Sequence, residues 1–115
     1  MLPAPNRLTK PAEFRTTVRN GVRVGRATLV VHAVRSDLPP TRVGFVVSKA
    51  VGNAVTRNRV KRRLRHLAQH WVPVTPMPVH VVVRALPGAA SRPGDLPNDF
   101  ATAWSEALSR LGVAR

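Results

Sequence analysis

Residues 42–85 read RVGFVVSKAVGNAVTRNRVKRRLRHLAQHWVPVTPMPVHVVVRA, and the hydrophobic period changes twice along them. From Arg42 to Ser48, and again from Val79 to Ala85, apolar residues crowd into short runs that suit buried strands. Between the two runs Val60, Leu64, Leu67 and Trp71 recur at i, i+4, i+7 and i+11. That is one narrow stripe on a helix running from Asn53 or Ala54 to about Trp71. Pro73, Pro76 and Pro78 end it, because proline lacks the amide donor and clashes with the preceding turn. The product is a strand, helix, strand unit.

Working outward from that unit, residues 1–8 read as an extended arm. Thr9 is placed to cap a first helix, with Pro11 in its first turn and Glu13 near its positive end, and Asn20-Gly21 stops it. Val22, Val24 and the run Thr28 to Arg35 are β-rich, and Asp37-Leu38-Pro39-Pro40 breaks the chain before Arg42. Beyond Ala85, residues 86–97 are rich in Pro, Gly, Ser and Ala and are expected to form an exposed loop. Phe100, Trp104, Ala107, Leu108 and Leu111 then mark a last amphipathic helix, with Asp95 or Asn98 as its cap and Gly112 beyond its end. The expected order is αβββαβα. This is an α+β sandwich in a single domain over residues 1–115, with one sheet packed by helices. Phe45, Trp71, Phe100 and Trp104 fall at core positions.

Composition narrows the function. The formal charge is +14, which destabilises a compact chain by self-repulsion unless a polyanion neutralises it. No acid lies between Asp37 and Asp95, a stretch holding ten Lys and Arg residues. A membrane surface would require an anchor or a broad apolar helix face, and neither is evident. The N-terminus lacks a secretory hydrophobic stretch, so the cytoplasm is the expected location. With no cysteine, disulfide frameworks and thiolate zinc fingers are excluded.

The segment 57–65 carries six cations and no anion. With Val60 at the centre of the buried stripe, Lys61 falls at roughly 100°, Arg65 at roughly 140°, Asn58 at roughly 160° and Arg62 at roughly 200°, all away from the core. Arg57, Arg59 and Arg63 flank the stripe. A merely solvated helix interleaves acids, since like charges at helical spacing repel. A binding face for nucleic acid explains the pattern better. Ser48 to Asn53, including Lys49, forms a small polar turn whose amides can meet phosphate as they enter the helix.

Other chemistry finds little support. His66 and His70 have the spacing of a helical metal pair but lack the intervening glutamate of a hydrolase. The five acids share no motif, and neither Ser48 nor Ser91 has a nucleophile signature. No catalytic or metal-binding residue is therefore assigned. Phe14 and Val18, at i and i+4 on the first helix, fit core packing better than a stacking platform on spacing alone. His32 and His80 lie in β-rich segments, where partial burial is ordinary.

The run from Ser48 through Arg62, with Arg57-Asn58-Arg59 at its centre, closely resembles the signature of the bacterial ribonuclease P protein subunit family. Arg7-Leu8 through Phe14, followed by Asn20-Gly21, is similar to that family's opening helix. The resemblance implies one mixed sheet with a left-handed βαβ crossover, against the usual preference. It also implies a protein cofactor for a catalytic RNA that removes the 5′-leader of precursor tRNA, using magnesium ions held mainly by RNA. On this likeness Lys49, Asn53, Arg57, Asn58, Arg59, Lys61, Arg62 and Arg65 contact the catalytic RNA. Phe14, Val18 and His32 line a cleft for the leader, which reverses the core reading of Phe14. Val18 and His32 stand where relatives often have aromatic rings, and Ala50 where a second lysine is common. The alternative is a ribosomal or translation-associated protein holding structured RNA on a similar βαβ unit. A stand-alone nuclease would need metal ligands that the sequence does not offer.

Overall fold

The computed structural model describes residues 2–112. In chain order the elements are α1 (Pro11–Asn20), β1 (Val22–Gly25), β2 (Leu29–Arg35), β3 (Arg42–Val46), α2 (Ala54–Trp71), β4 (Val79–Ala85), a short α3 (Gly88–Ser91) and α4 (Leu96–Arg110). The strands form one mixed sheet in the order β1-β2-β4-β3. β1 pairs with β2 and β2 with β4 antiparallel, whereas β3 and β4 are parallel. Parallel neighbours cannot be joined by a hairpin, so the chain must leave the sheet and return, and α2 makes that crossover.

One face of the sheet is dry. Val24, Leu29, Val31, Val43, Val81 and Val83 project into a core shared with Val60, Leu64 and Ala68 of α2 and Phe100, Trp104 and Leu108 of α4. The Phe100 and Trp104 rings stack with centroids 5.5 Å apart, and Trp104 Nε1 donates to Thr75 Oγ1 at 3.2 Å. In α2 the fully buried positions follow an i+4 rule, 60, 64 and 68, while Leu67 and Trp71 pack only partly against the core. Ala68 carries no signal on a hydrophobic stripe because it is small; it lets α2 approach closely.

The opposite face is covered by α1, which lies against β2 and β4. Gly21 at its end is required by proximity. A Cβ there would lie 2.4 Å from the Ala33 carbonyl oxygen and 2.5 Å from that of Thr17.

Three local expectations are corrected. Over its described residues, 2–8, the arm is not simply extended: Ala4–Asn6 form a 3-10 turn, Leu2 and Leu8 are buried, and Leu8 N–H donates to the Val43 carbonyl at 3.0 Å. Two lone leucines among prolines carry no periodic signal, yet they cover the open side of β3, an edge strand that otherwise exposes unpaired backbone. Lys10, not Thr9, stands at the N-cap of α1, and no side chain caps that end. Residues 86–97 are not an exposed loop. They hold α3 and a 3-10 turn at Pro93–Asp95, and Ala89 and Leu96 are core residues. Asp95 does stand at the N-cap of α4, as expected, but without a side-chain capping bond; Arg92 holds its carboxylate at 2.8 Å.

Candidate nucleic-acid interface

The approach to α2 is a tight turn in which Val51 N–H donates to the Ser48 carbonyl at 3.1 Å and Gly52 N–H to that of Lys49 at 3.2 Å. Asn53 has extended backbone angles, and its Oδ1 accepts from Thr56 N–H at 2.9 Å. This expected contact residue therefore has a structural task, satisfying one of the amide donors that every helix start leaves open. Lys49 is exposed beside it.

Along α2, Asn58, Arg59, Arg62 and Arg63 are exposed, and Arg57, Lys61 and Arg65 are half-buried. The ion pairs among the described residues are Arg26 with Glu106, Arg92 with Asp95, and Arg110 with Glu106. None involves α2. Its cations repel one another without internal compensation, an arrangement that an external polyanion relieves. Asn58, Lys61, Arg62, Arg65 and His66 line a shallow depression on the outer surface. Arg57 Nε is buried and has no hydrogen-bond partner within the protein, leaving a donor that water or a ligand can satisfy.

Phe14, Val18 and His32 gather elsewhere, on the face of the sheet that α1 covers. The strand registers place Arg23, His32, Val82 and Gly44 in one row across the sheet. The Phe14 ring rests directly on Gly44, where a Cβ would come within 2.2 Å of Phe14 Cζ. Phe14 and Val18 are half-buried and stand outside the main core cluster, so spacing on the helix misleads about Phe14. His32 is buried and its Nδ1 has no partner. Burial pushes its pKa down, and the nearby Arg84 and Arg23 guanidinium groups push it further, so the ring is neutral at neutral pH. Arg23 and Arg84 are exposed beside it. Sequence reading missed both, although alternation along β1 and β4 assigns them to this face once the register is known.

The candidate residues thus form two groups, a basic ridge on α2 and a set of buried and half-buried residues where α1 meets the sheet, on opposite sides of the sheet. His66 and His70 meet edge to face at 5.7 Å. Among the described residues no group of three or more His, Cys, Asp or Glu is placed to hold a metal ion. No helix among them is long and apolar enough to cross a membrane.

Known proteins resemble this chain in sequence and in fold. The family model described as Ribonuclease P matches residues 2–108. The ribonuclease P protein component of Kocuria rhizophila is 53% identical over 111 residues, covering 96% of this chain and 98% of the relative. That of Streptomyces avermitilis is 56% identical over 98 residues, covering 77% and 80%. The structure of the Staphylococcus aureus RNase P protein superposes with a TM-score of 0.80 at 26% identity, covering 89% of this chain and 94% of that one. Family, relatives and fold agree, and they set aside the ribosomal alternative: the chain belongs to the ribonuclease P protein family, as a protein component of that enzyme.

Proposed function

We propose that this chain binds the catalytic RNA of ribonuclease P through α2, holds the 5′-leader of precursor tRNA under α1, and so assists the RNA in endonucleolytic leader removal in the cytoplasm. The observation that carries this reading is the set of uncompensated cations on α2. In the proposed complex Arg59, Arg62 and Arg65 meet phosphates, Arg57, Asn58 and Lys61 extend the contact, and Lys49 with the turn amides flanks it. Asn53 contributes chiefly by fixing the start of the helix. On the other face the exposed edge of Phe14 stacks on a leader base. Val18 and His32 shape the floor, and Arg23 and Arg84 attract the backbone.

Magnesium belongs with the RNA in this reading. Three of the five acidic side chains are already engaged within the protein: Asp99 is bonded to Thr28, Glu106 to Arg26 and Arg110, and Asp95 to Arg92. The protein's contribution is binding and positioning, which lower the entropic cost of bringing substrate and RNA together.

Salt dependence tests the reading. Each neutralised phosphate contributes a slope of about −0.7 to −0.9 to log affinity against log salt. Replacing Arg59, Arg62 and Arg65 with Gln keeps helix propensity nearly constant and is expected to flatten the slope by about two to three units, with weaker binding at low salt. Unchanged affinity and slope, with circular dichroism showing an intact helix, would move the RNA to another surface.

A further inference from the structure

On its α4 side the basic surface of α2 runs into a groove. Arg62, Arg63, His66 and Leu67 face Pro93, Leu96 and Pro97 across a space of about 430 Å³, within the range of small-ligand clefts. One wall is cationic, the floor and far wall are apolar, and no carboxylate lines it. The carboxylate nearest in sequence, Asp95, is held by Arg92. The floor is firm because Leu96 is a core residue and Leu67 packs against the same core. Arg62 and His66 also line the depression on the outer face of α2, so groove and ridge are one continuous surface.

We propose that this groove receives an unpaired nucleobase of the RNA whose backbone lies along α2. The inference rests on the RNA reading of α2 and adds to it a site for a base. A base suits both walls: its flat apolar faces pack on proline and leucine, while its ring-edge acceptors meet guanidinium N–H donors. The phosphate attached to it falls to cations the two surfaces share. A second copy of the chain is a poor occupant, since each carries a net charge of +14 and like charges oppose association.

The absence of cysteine makes a direct test available. Pro97→Cys and, as a reference on the outer face of α2, Asn58→Cys are each fitted with a short photoreactive aryl azide, and the protein is assembled with its catalytic RNA. Both positions are expected to label RNA, the product from position 97 mapping to one unpaired nucleotide by primer extension. RNA labelling from position 58 without any from 97, or labelling of protein from 97, overturns the groove and leaves the α2 reading intact. No labelling from either removes both.

Affinity supplies an independent readout. Pro97→Ala, at an exposed position, and Leu67→Ala are each expected to weaken RNA binding about two- to tenfold, as trimming one apolar contact does. The salt slope should stay unchanged, because an apolar contact releases no counterions. Unchanged affinity in both variants, or a loss that appears wholly in the slope, overturns the proposal.

Discussion

α2 and α4 lie against the same face of the same sheet and use their polar residues in opposite ways. α4 directs its acids inward to the molecule. Asp99 accepts from Thr28 N–H at 3.2 Å and from Thr28 Oγ1 at 2.6 Å, and Glu106 bridges Arg26 and Arg110. It also buries six residues, including the stacked Phe100 and Trp104. α2 is longer but buries three, and its cations join none of the ion pairs among the described residues. Helix length and amphipathicity do not separate the two. What separates them is whether charged groups find partners within the chain, and the proposed function gives those of α2 theirs outside it.

The largest effect expected from this contrast is on the α4 side. Phe100→Ala removes a fully buried ring and should cost about 3–5 kcal/mol in urea unfolding. The Arg59, Arg62 and Arg65 to Gln variant should unfold at the same denaturant concentration or slightly higher, since it loses repulsion and no internal contact. A comparable loss of stability in both would break the contrast. Asp99→Ala should cost about 1–3 kcal/mol by leaving the buried Thr28 donors unpaired, with RNA affinity at fixed salt as the readout that must not move.

Phe14→Ala probes the seat under α1. It should weaken binding of precursor tRNA by about 1–3 kcal/mol, the worth of one stacked base, and leave mature tRNA nearly unchanged. Equal loss for both substrates would assign Phe14 to structure alone. The smallest effect expected is a pH slope. The folded-state pKa of His32 lies below 6.5, so near and below that pH the unfolded chain binds more protons than the folded one. The stability held by the neutral ring is complete above pH 6.5 and is lost as pH falls through the depressed value. His32→Gln should remove that part of the slope in thermal melts between pH 7 and pH 5, and an identical profile in the variant would mean that another group titrates.

The parts of this architecture legible in the sequence are those written as a period. The crossover helix, both strands beside it and the last helix follow from Val60, Leu64, the Val79–Ala85 run and Phe100 with Trp104. The basic face follows from charge alone, because six cations without an anion are improbable on an ordinary surface. What was not legible depends on contacts distant in sequence. Leu2 and Leu8 carry no period and gain meaning only against β3. Ala89 reads as loop composition until the core reaches it. Phe14 has core spacing yet sits on Gly44, a contact set by the sheet register, and the same register brings Arg23 and Arg84 beside His32.

The strand order β1-β2-β4-β3 has a consequence for the newborn chain. β4 lies between β2 and β3 but is synthesised after both. Until Val79–Ala85 has left the ribosome, β2 lacks one neighbour and β3 lacks the strand it pairs with. Two strand edges are therefore open while α2, with its cations, is already outside. Long-range pairing of this kind delays folding and exposes unpaired edges meanwhile. The sheet closes from its middle in one late step, and its dry face waits longer still, for Phe100 and Trp104 of α4 to emerge behind it.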